Sequence, residues 1–120
     1  MRDFRKLEIW IMSKDFVKEV SQLSSSFPEN EKFGLVNQIN RAAVSIPSNI
    51  AEGCNRATNK DFKRFIDIAL GSSFELETQL IISKDLKYVS DANFLILIDK
   101  LAQIQKRLSS YRNYLIRNII

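Results

Sequence analysis

The sequence has no histidine, one cysteine, three glycines and two prolines, and each scarcity excludes a class of protein. Without histidine there can be no serine–histidine or cysteine–histidine catalytic pair, no histidine-bound zinc and no Glu-x-x-His di-iron site. The lone Cys54 allows no disulfide within the chain, and it lacks the usual neighbouring base that activates a nucleophilic thiol. Few glycines and prolines also disfavour an all-β fold, which needs frequent turns. We therefore expect a helical, non-enzymatic protein without a metal or cofactor.

No apolar run approaches the roughly 18 residues that cross a bilayer. The first ten residues, MRDFRKLEIW, lack the apolar stretch of a signal peptide. We therefore expect a cytoplasmic protein. A length of 120 residues suits one domain with a real core, and no linker divides the chain, so we assign residues 1–120 to a single domain.

Apolar residues recur at helical spacing in four segments separated by short breaks. In the last segment, steps of four and three from Leu97 to Leu115 form a heptad seam. Gly53 is a natural stop for the second helix. The first residues of the chain are either part of the first helix or a non-helical arm packed on the bundle. We predict an all-α fold, an antiparallel up-down-up-down four-helix bundle, with helices over about 3–26, over about 29–54, from 58 or 59, and from 90.

A stripe of polar side chains flanks the apolar faces of the second and third helices. Consecutive helices form an antiparallel hairpin. The residue numbers of two facing positions therefore add up to a nearly constant value, here about 117. Three interpretations stay open: a partly buried network that fixes the register, a subunit interface, and a catalytic or ligand site. Arg41 and Glu75 are expected to pair, within or between subunits, and to be at least partly buried. The stripe comprises Gln38, Arg41, Ser45, Asn49 and Glu52 on one helix and Ser72, Glu75 and Gln79 on the other, with Ser45–Ser72, Arg41–Glu75 and Gln38–Gln79 opposite each other.

The net charge is +4, and residues 89–120 hold five Lys or Arg against two Asp or Glu. From charge alone, this surface is equally a nucleic-acid-binding face or a means of solubility. No aromatic stacking platform and no RNA-binding motif is visible, so we expect contacts to phosphates with little sequence preference. The candidate contacts are Lys100, Lys106, Arg107 and Arg117 on the outer face of the last helix, with Arg2, Arg5 and Lys6 near the N-terminus.

The segment QINRAAVSIPSNIAEG, which ends at Gly53, is distinctive, and Phe27-Pro28 and Gly34-Leu35 precede it. This pattern resembles the four-helix bundle proteins encoded in intervening sequences of 23S ribosomal RNA genes. The resemblance covers nearly the whole chain, and it includes Phe4, Leu7 and Trp10 at the start and Gly71-Ser72 with Glu75-Leu76 in the third helix.

The resemblance implies an up-down-up-down bundle and a ring-shaped homopentamer. It also points to a distant relative, the accessory protein of diversity-generating retroelements, which is a basic pentamer that works with RNA and a reverse transcriptase. A ring would repeat the charge of +4 in each copy, and multivalency would then strengthen weak phosphate contacts. We therefore expect a homo-oligomer that binds RNA or DNA. The alternative is a scaffold ring that binds another protein and has no direct nucleic-acid role.

Overall fold

The computed structural model describes residues 2–119, which form four long α-helices and two short 3-10 turns. None of the helices in this range is long and apolar enough to cross a membrane. The helices are α1 (Glu8–Ser24), α2 (Leu35–Cys54), α3 (Asn59–Asp85) and α4 (Asp91–Arg117), and the 3-10 turns are Phe4–Lys6 and Glu29–Glu31.

Contacts between helices show that neighbours are antiparallel. Late in α1, Ser24 accepts a hydrogen bond from Asn40 Nδ2, near the start of α2, at 2.9 Å. The last helix returns beside the first, because Arg107 in α4 pairs with Glu8 at the start of α1 at 2.7 Å. The predicted all-α four-helix bundle is the fold observed, and the short turns that join α2 to α3 and α3 to α4 are consistent with the predicted up-down-up-down order.

The core lies along the centre of the bundle, where the apolar stripes of the four helices meet. The heptad seam predicted in α4 forms part of it. Burying each Leu, Ile or Phe side chain contributes about 1.5–3 kcal/mol, so this core dominates the folding free energy. Tyr111 is half-buried, and the other seam residues are buried: Leu97, Leu101, Ile104, Leu108 and Leu115.

Two helices begin where the sequence places a capping residue. The Thr58 side chain accepts a hydrogen bond from the Asp61 backbone N–H at 3.1 Å, and it starts α3. Ser90 accepts from the Asn93 N–H at 3.1 Å in the same way and starts α4. Each cap satisfies a backbone donor that the first helical turn leaves unpaired.

The chain start forms an arm packed on the bundle and is not an extension of α1. Leu7 adopts an extended conformation with ψ 127°, which separates the Phe4–Lys6 turn from the helix. The Phe4 ring packs against Trp10 at a centroid distance of 5.1 Å, and Phe4 and Leu7 cover the core. Ile11, in the first turn of α1, stays exposed.

The second helix begins later than predicted. Residues Glu29–Glu31 form a separate 3-10 turn. Gly34, with φ −106° and ψ −107°, has a non-helical conformation, so α2 begins only at Leu35. The Tyr88 hydroxyl donates to Glu31 at 2.9 Å, which fastens this turn to the segment between α3 and α4. Residues 29–34, which the prediction placed in the second helix, therefore lie outside it.

Gly53 lies one residue before the end of α2, close to the predicted helix stop, and it also permits a close approach between helices. It lies inside α2, which continues to Cys54, and no described glycine has a positive φ. A Cβ atom at Gly53 would lie 2.7 Å from the Cδ1 of Phe62 and 2.7 Å from the Cβ of Phe65. Only glycine lets α2 and the start of α3 pack at this distance.

Candidate nucleic-acid interface

Folding separates charge along the bundle, whose longest dimension is 49 Å. We call residues 2–13, 46–72 and 104–119 the terminal half, because it holds both described chain ends and the α2–α3 turn. Residues 14–45 and 73–103 form the distal half. The terminal half has 11 Lys or Arg against 5 Asp or Glu, a net charge of +6, whereas the distal half has 7 against 9, a net charge of −2. The excess of cations is therefore at one end of the molecule.

The four cations predicted on α4 do not share one free surface. Lys100 lies in the distal half and forms an ion pair with Glu19 of α1. Arg107 pairs with Glu8 at 2.7 Å, at the rim between α1 and α4. Lys106 and Arg117 are exposed and have no ion pair within residues 2–119. Lys100 and Arg107 are exposed on the outer face of α4 as expected, but each is engaged by an acidic side chain of α1, so the four cations do not form one set free of ion pairs.

The three N-terminal cations also differ from one another. The Arg2 guanidinium lies over the Phe62 ring at 5.0 Å and hydrogen-bonds the Asn59 side chain. Arg5 pairs with Asp3 at 3.2 Å and lies over Phe4. Arg2 and Arg5 are thus occupied by neighbours of their own chain. Lys6 is exposed without an ion pair in the described part of the chain.

Sequence reasoning missed the cations in the α2–α3 turn and at the start of α3. Arg56 and Arg64 both lie 4.6 Å from the centre of the buried Phe65 ring, and both approach Asp61. Lys60 is exposed and has no ion pair among the described residues. Residues 59–88 balance to zero charge in the sequence, which concealed this cluster. The antiparallel packing of the helices is what brings the basic first turn of α3 beside the chain ends.

The polar stripe brings Ser45 and Ser72 together in the predicted register. Their hydroxyl oxygens lie 2.8 Å apart, and Asn49 donates to the Ser45 hydroxyl at 3.0 Å. Farther along, Gln79 donates to Glu75 at 3.2 Å, and Glu52 lies 4.0 Å from Arg56. The stripe is therefore a set of short local contacts, one of which crosses between helices.

Arg41 and Glu75 do not pair within this chain. Both are exposed, and no ion pair joins them among residues 2–119, so the expected partly buried pair is not formed inside one subunit. Gln38 is also exposed and does not hydrogen-bond Gln79. The side chain of Gln79 is buried, and its Oε1 has no hydrogen-bond partner in the described chain.

Cys54 is buried, and its thiol donates to the Arg2 carbonyl at 3.4 Å. Burial raises the pKa of this thiol, although the nearby Arg2 charge opposes the shift, so the thiol stays protonated near neutral pH. The residues that the structure describes contain no group of three or more His, Cys, Asp and Glu side chains placed to hold a metal ion.

An aromatic surface in the terminal half was also missed. Tyr111 and Tyr114 lie at a centroid distance of 5.6 Å, and Tyr114 is 44% exposed. Both line a groove between α1 and α4 together with Lys106 and Arg107. The spacing of Arg107, Ser110 and Tyr114, three and then four residues apart, places them on one helix face and was the available signal.

Together these features define a small four-helix bundle whose distinguishing surface is its basic end. The chain belongs to the family described as 23S rRNA-intervening sequence protein, whose family model matches residues 5–110. The resemblance drawn from the segment ending at Gly53 is thus confirmed.

A solved structure from Bacteroides thetaiotaomicron VPI-5482 is similar to this chain; it is described as a protein with unknown function from the S23 ribosomal protein family. The two are 25% identical, with a TM-score of 0.81 over 87% of this chain and 97% of that chain. No curated protein matches the sequence. The solved relative supports the bundle fold along nearly its own full length.

Proposed function

We propose that this protein is a non-enzymatic oligomer that binds RNA or another nucleic acid through the terminal half of each bundle. The observation that carries the proposal is the separation of charge, +6 in the terminal half and −2 in the distal half. A polyanion is attracted to the terminal half and repelled by the distal half, so we expect it to bind at one end of the molecule.

Four cations are the direct phosphate contacts in this proposal. They are exposed and carry no ion pair within residues 2–119, so a phosphate need not displace a carboxylate from them. Phosphate contacts carry no sequence information by themselves, which is why we expect little sequence preference. The four are Lys6, Lys60, Lys106 and Arg117.

Fluorescence anisotropy with labelled RNA and DNA at two salt concentrations tests the binding. A set of six to ten phosphate contacts, assembled from several subunits, loses about 10³–10⁵ in affinity between about 50 and 200 mM salt. We expect binding at the lower concentration and a loss of this order at the higher one. No binding at the lower concentration would instead support the protein-binding scaffold.

Self-association is the second part of the proposal. The most exposed apolar side chains lie in the distal half, where Phe33 is 87% exposed and Leu95 is 63% exposed. The resemblance to ring-forming relatives favours a pentamer.

Light scattering measures the oligomer directly. We expect about 70 kDa for a pentamer of the 13.9 kDa chain. Replacing Phe33 and Leu95 together by serine should lower the mass, because it removes the largest exposed apolar side chains. The matched replacement of Ile116 and Ile119, each 41% exposed in the terminal half, should leave it unchanged. A mass of one chain at micromolar concentration would contradict self-association.

A further inference from the structure

The groove between the start of α1 and the end of α4 combines aromatic and basic side chains. Its volume is about 640 Å³, and α1 and α4 approach each other less closely than the sequential helix pairs do. Its apolar lining includes Leu7 and Ile9 on one side and Tyr111 and Tyr114 on the other, with Lys106 and Arg107 at the rim. The groove is thus aromatic inside and basic outside.

The aromatic side of the groove is packed against the core from behind. Tyr111 is half-buried, and its ring packs on the buried Phe62 ring at 5.5 Å and on Tyr114 at 5.6 Å. Tyr114 continues this row outward and keeps 44% of its surface exposed. A ring that already packs on a neighbour and is still exposed offers a preformed face on which a flat ligand can stack.

Charge identifies the ligand that suits this groove. Lys106 lies about two helical turns before Tyr114 and Arg117 lies about one turn after it, and neither has an ion pair within residues 2–119. The acidic residue in the lining, Glu8, is engaged by Arg107 at 2.7 Å. An aromatic surface between two free cations fits a flat aromatic ring with anions on both sides, which describes a nucleobase and the two phosphates that flank its sugar.

We propose that the groove binds an unpaired base of a single-stranded nucleic acid, with the base stacked on Tyr114 and the flanking phosphates at Lys106 and Arg117. The inference rests on the proposed function and makes it more specific, because a base inside a duplex has both faces covered by its neighbours. Stacking accepts every base, so single-strand selectivity needs no sequence preference.

The test compares a labelled single-stranded RNA with a duplex of the same length by fluorescence anisotropy. Tyr114→Ala should weaken single-strand binding about tenfold, as expected for the loss of one stacked base, and leave duplex binding unchanged. Tyr114→Phe keeps the ring and should bind like the native chain. Phe74→Ala is the matched control, because Phe74 is an aromatic residue that is 55% exposed in the acidic distal half.

The outcomes separate this inference from the proposed function. If Tyr114→Ala binds both RNAs like the native chain, or weakens both equally, while charge reversal at Lys106 and Arg117 still abolishes binding, the stacking site is wrong and the basic interface stands. If the native chain binds neither RNA, both proposals fail. Should Tyr114→Ala lower the melting temperature, photocrosslinking of a 4-thiouracil-labelled strand to the native chain decides instead, with crosslinks at Tyr114 expected and their absence contradicting the site.

Discussion

The two halves of this bundle share the same helices and differ in what they expose. The terminal half presents cations, several of them over aromatic rings, as Arg2 lies over Phe62 and Arg64 over Phe65. The distal half presents acids together with the most exposed apolar side chains, Phe33 and Leu95. In the proposed function, the first end binds the nucleic acid and the second end is where the copies associate. The difference also explains why a net charge of only +4 understates the charge that a polyanion meets.

The largest stability effect should come from the place where α2 and α3 pack most tightly. Gly53→Ala puts a Cβ 2.7 Å from Phe62 and Phe65, so the helices must separate, at a cost of about 1–3 kcal/mol. The shift would also disturb Phe65, on which Arg56 and Arg64 lie. Urea denaturation of the two proteins measures the change.

Gly71→Ala is the matched control for that substitution. Nothing lies within 4 Å of a Cβ at Gly71, which is exposed inside α3, so alanine should stabilise the helix by about 0.5–1 kcal/mol. Opposite signs for the two substitutions are the expected result. If Gly53→Ala were as stabilising as Gly71→Ala, the close helix approach in the terminal half would be wrong.

A smaller effect on stability is expected at Asp67, whose carboxylate balances part of the positive charge of the terminal half. Burial alone would raise the pKa of Asp67, but hydrogen bonds from Lys63 and Arg112 outweigh it and lower the pKa below 3.8. A depressed carboxyl pKa gives stability that is complete above its ordinary value and is lost as pH falls through the folded value. Because these groups are partly exposed, the contribution should be at most about 1 kcal/mol.

Asp67→Asn should therefore be less stable than the native chain at neutral pH, and the gap should shrink as pH falls below 3.8. Thermal unfolding across this range measures the gap. The control is Asp85→Asn, because Asp85 is exposed in the distal half and has no ion pair among residues 2–119. If the difference in stability between Asp67→Asn and the native chain did not change with pH, the lowered pKa of Asp67 would be contradicted.

The fold was readable from sequence because its signals are local. The heptad seam in α4 and the caps Thr58 and Ser90 each depend on residues within a few turns. The start of α2 was misplaced because Gly34 and the Glu29–Glu31 turn interrupt an otherwise acceptable helical pattern. The arm was left open between two alternatives, since the extended conformation of Leu7 is set by packing on the bundle.

The candidate site was harder to predict from the sequence, because its residues come together only when the four helices pack. Lys100 and Arg107 looked free on one helix, yet each meets an acid of α1, a helix about 80 to 100 residues earlier. Lys60 was overlooked because its stretch of sequence is neutral, and it joins the basic end only through the α2–α3 turn. Ser45 and Ser72 were paired correctly because one short turn fixes their register.

The most direct test of the central claim is a matched pair of charge reversals, one in each half. Lys106→Glu with Arg117→Glu changes the terminal half, and Lys18→Glu with Lys87→Glu changes the distal half; both take the net charge of the chain from +4 to 0. All four residues are exposed and without ion pairs in the described chain, so the fold should survive.

Anisotropy with one RNA across a salt series gives both affinity and its salt dependence for each variant. The terminal reversal should weaken binding about tenfold or more at about 50 mM salt. It should also lower the salt slope by about 2 per subunit engaged, because each of the two cations neutralises one phosphate. The distal reversal should bind much more like the native chain. Equal weakening in the two variants would mean that RNA responds only to net charge, and the claim of a basic binding end would be wrong.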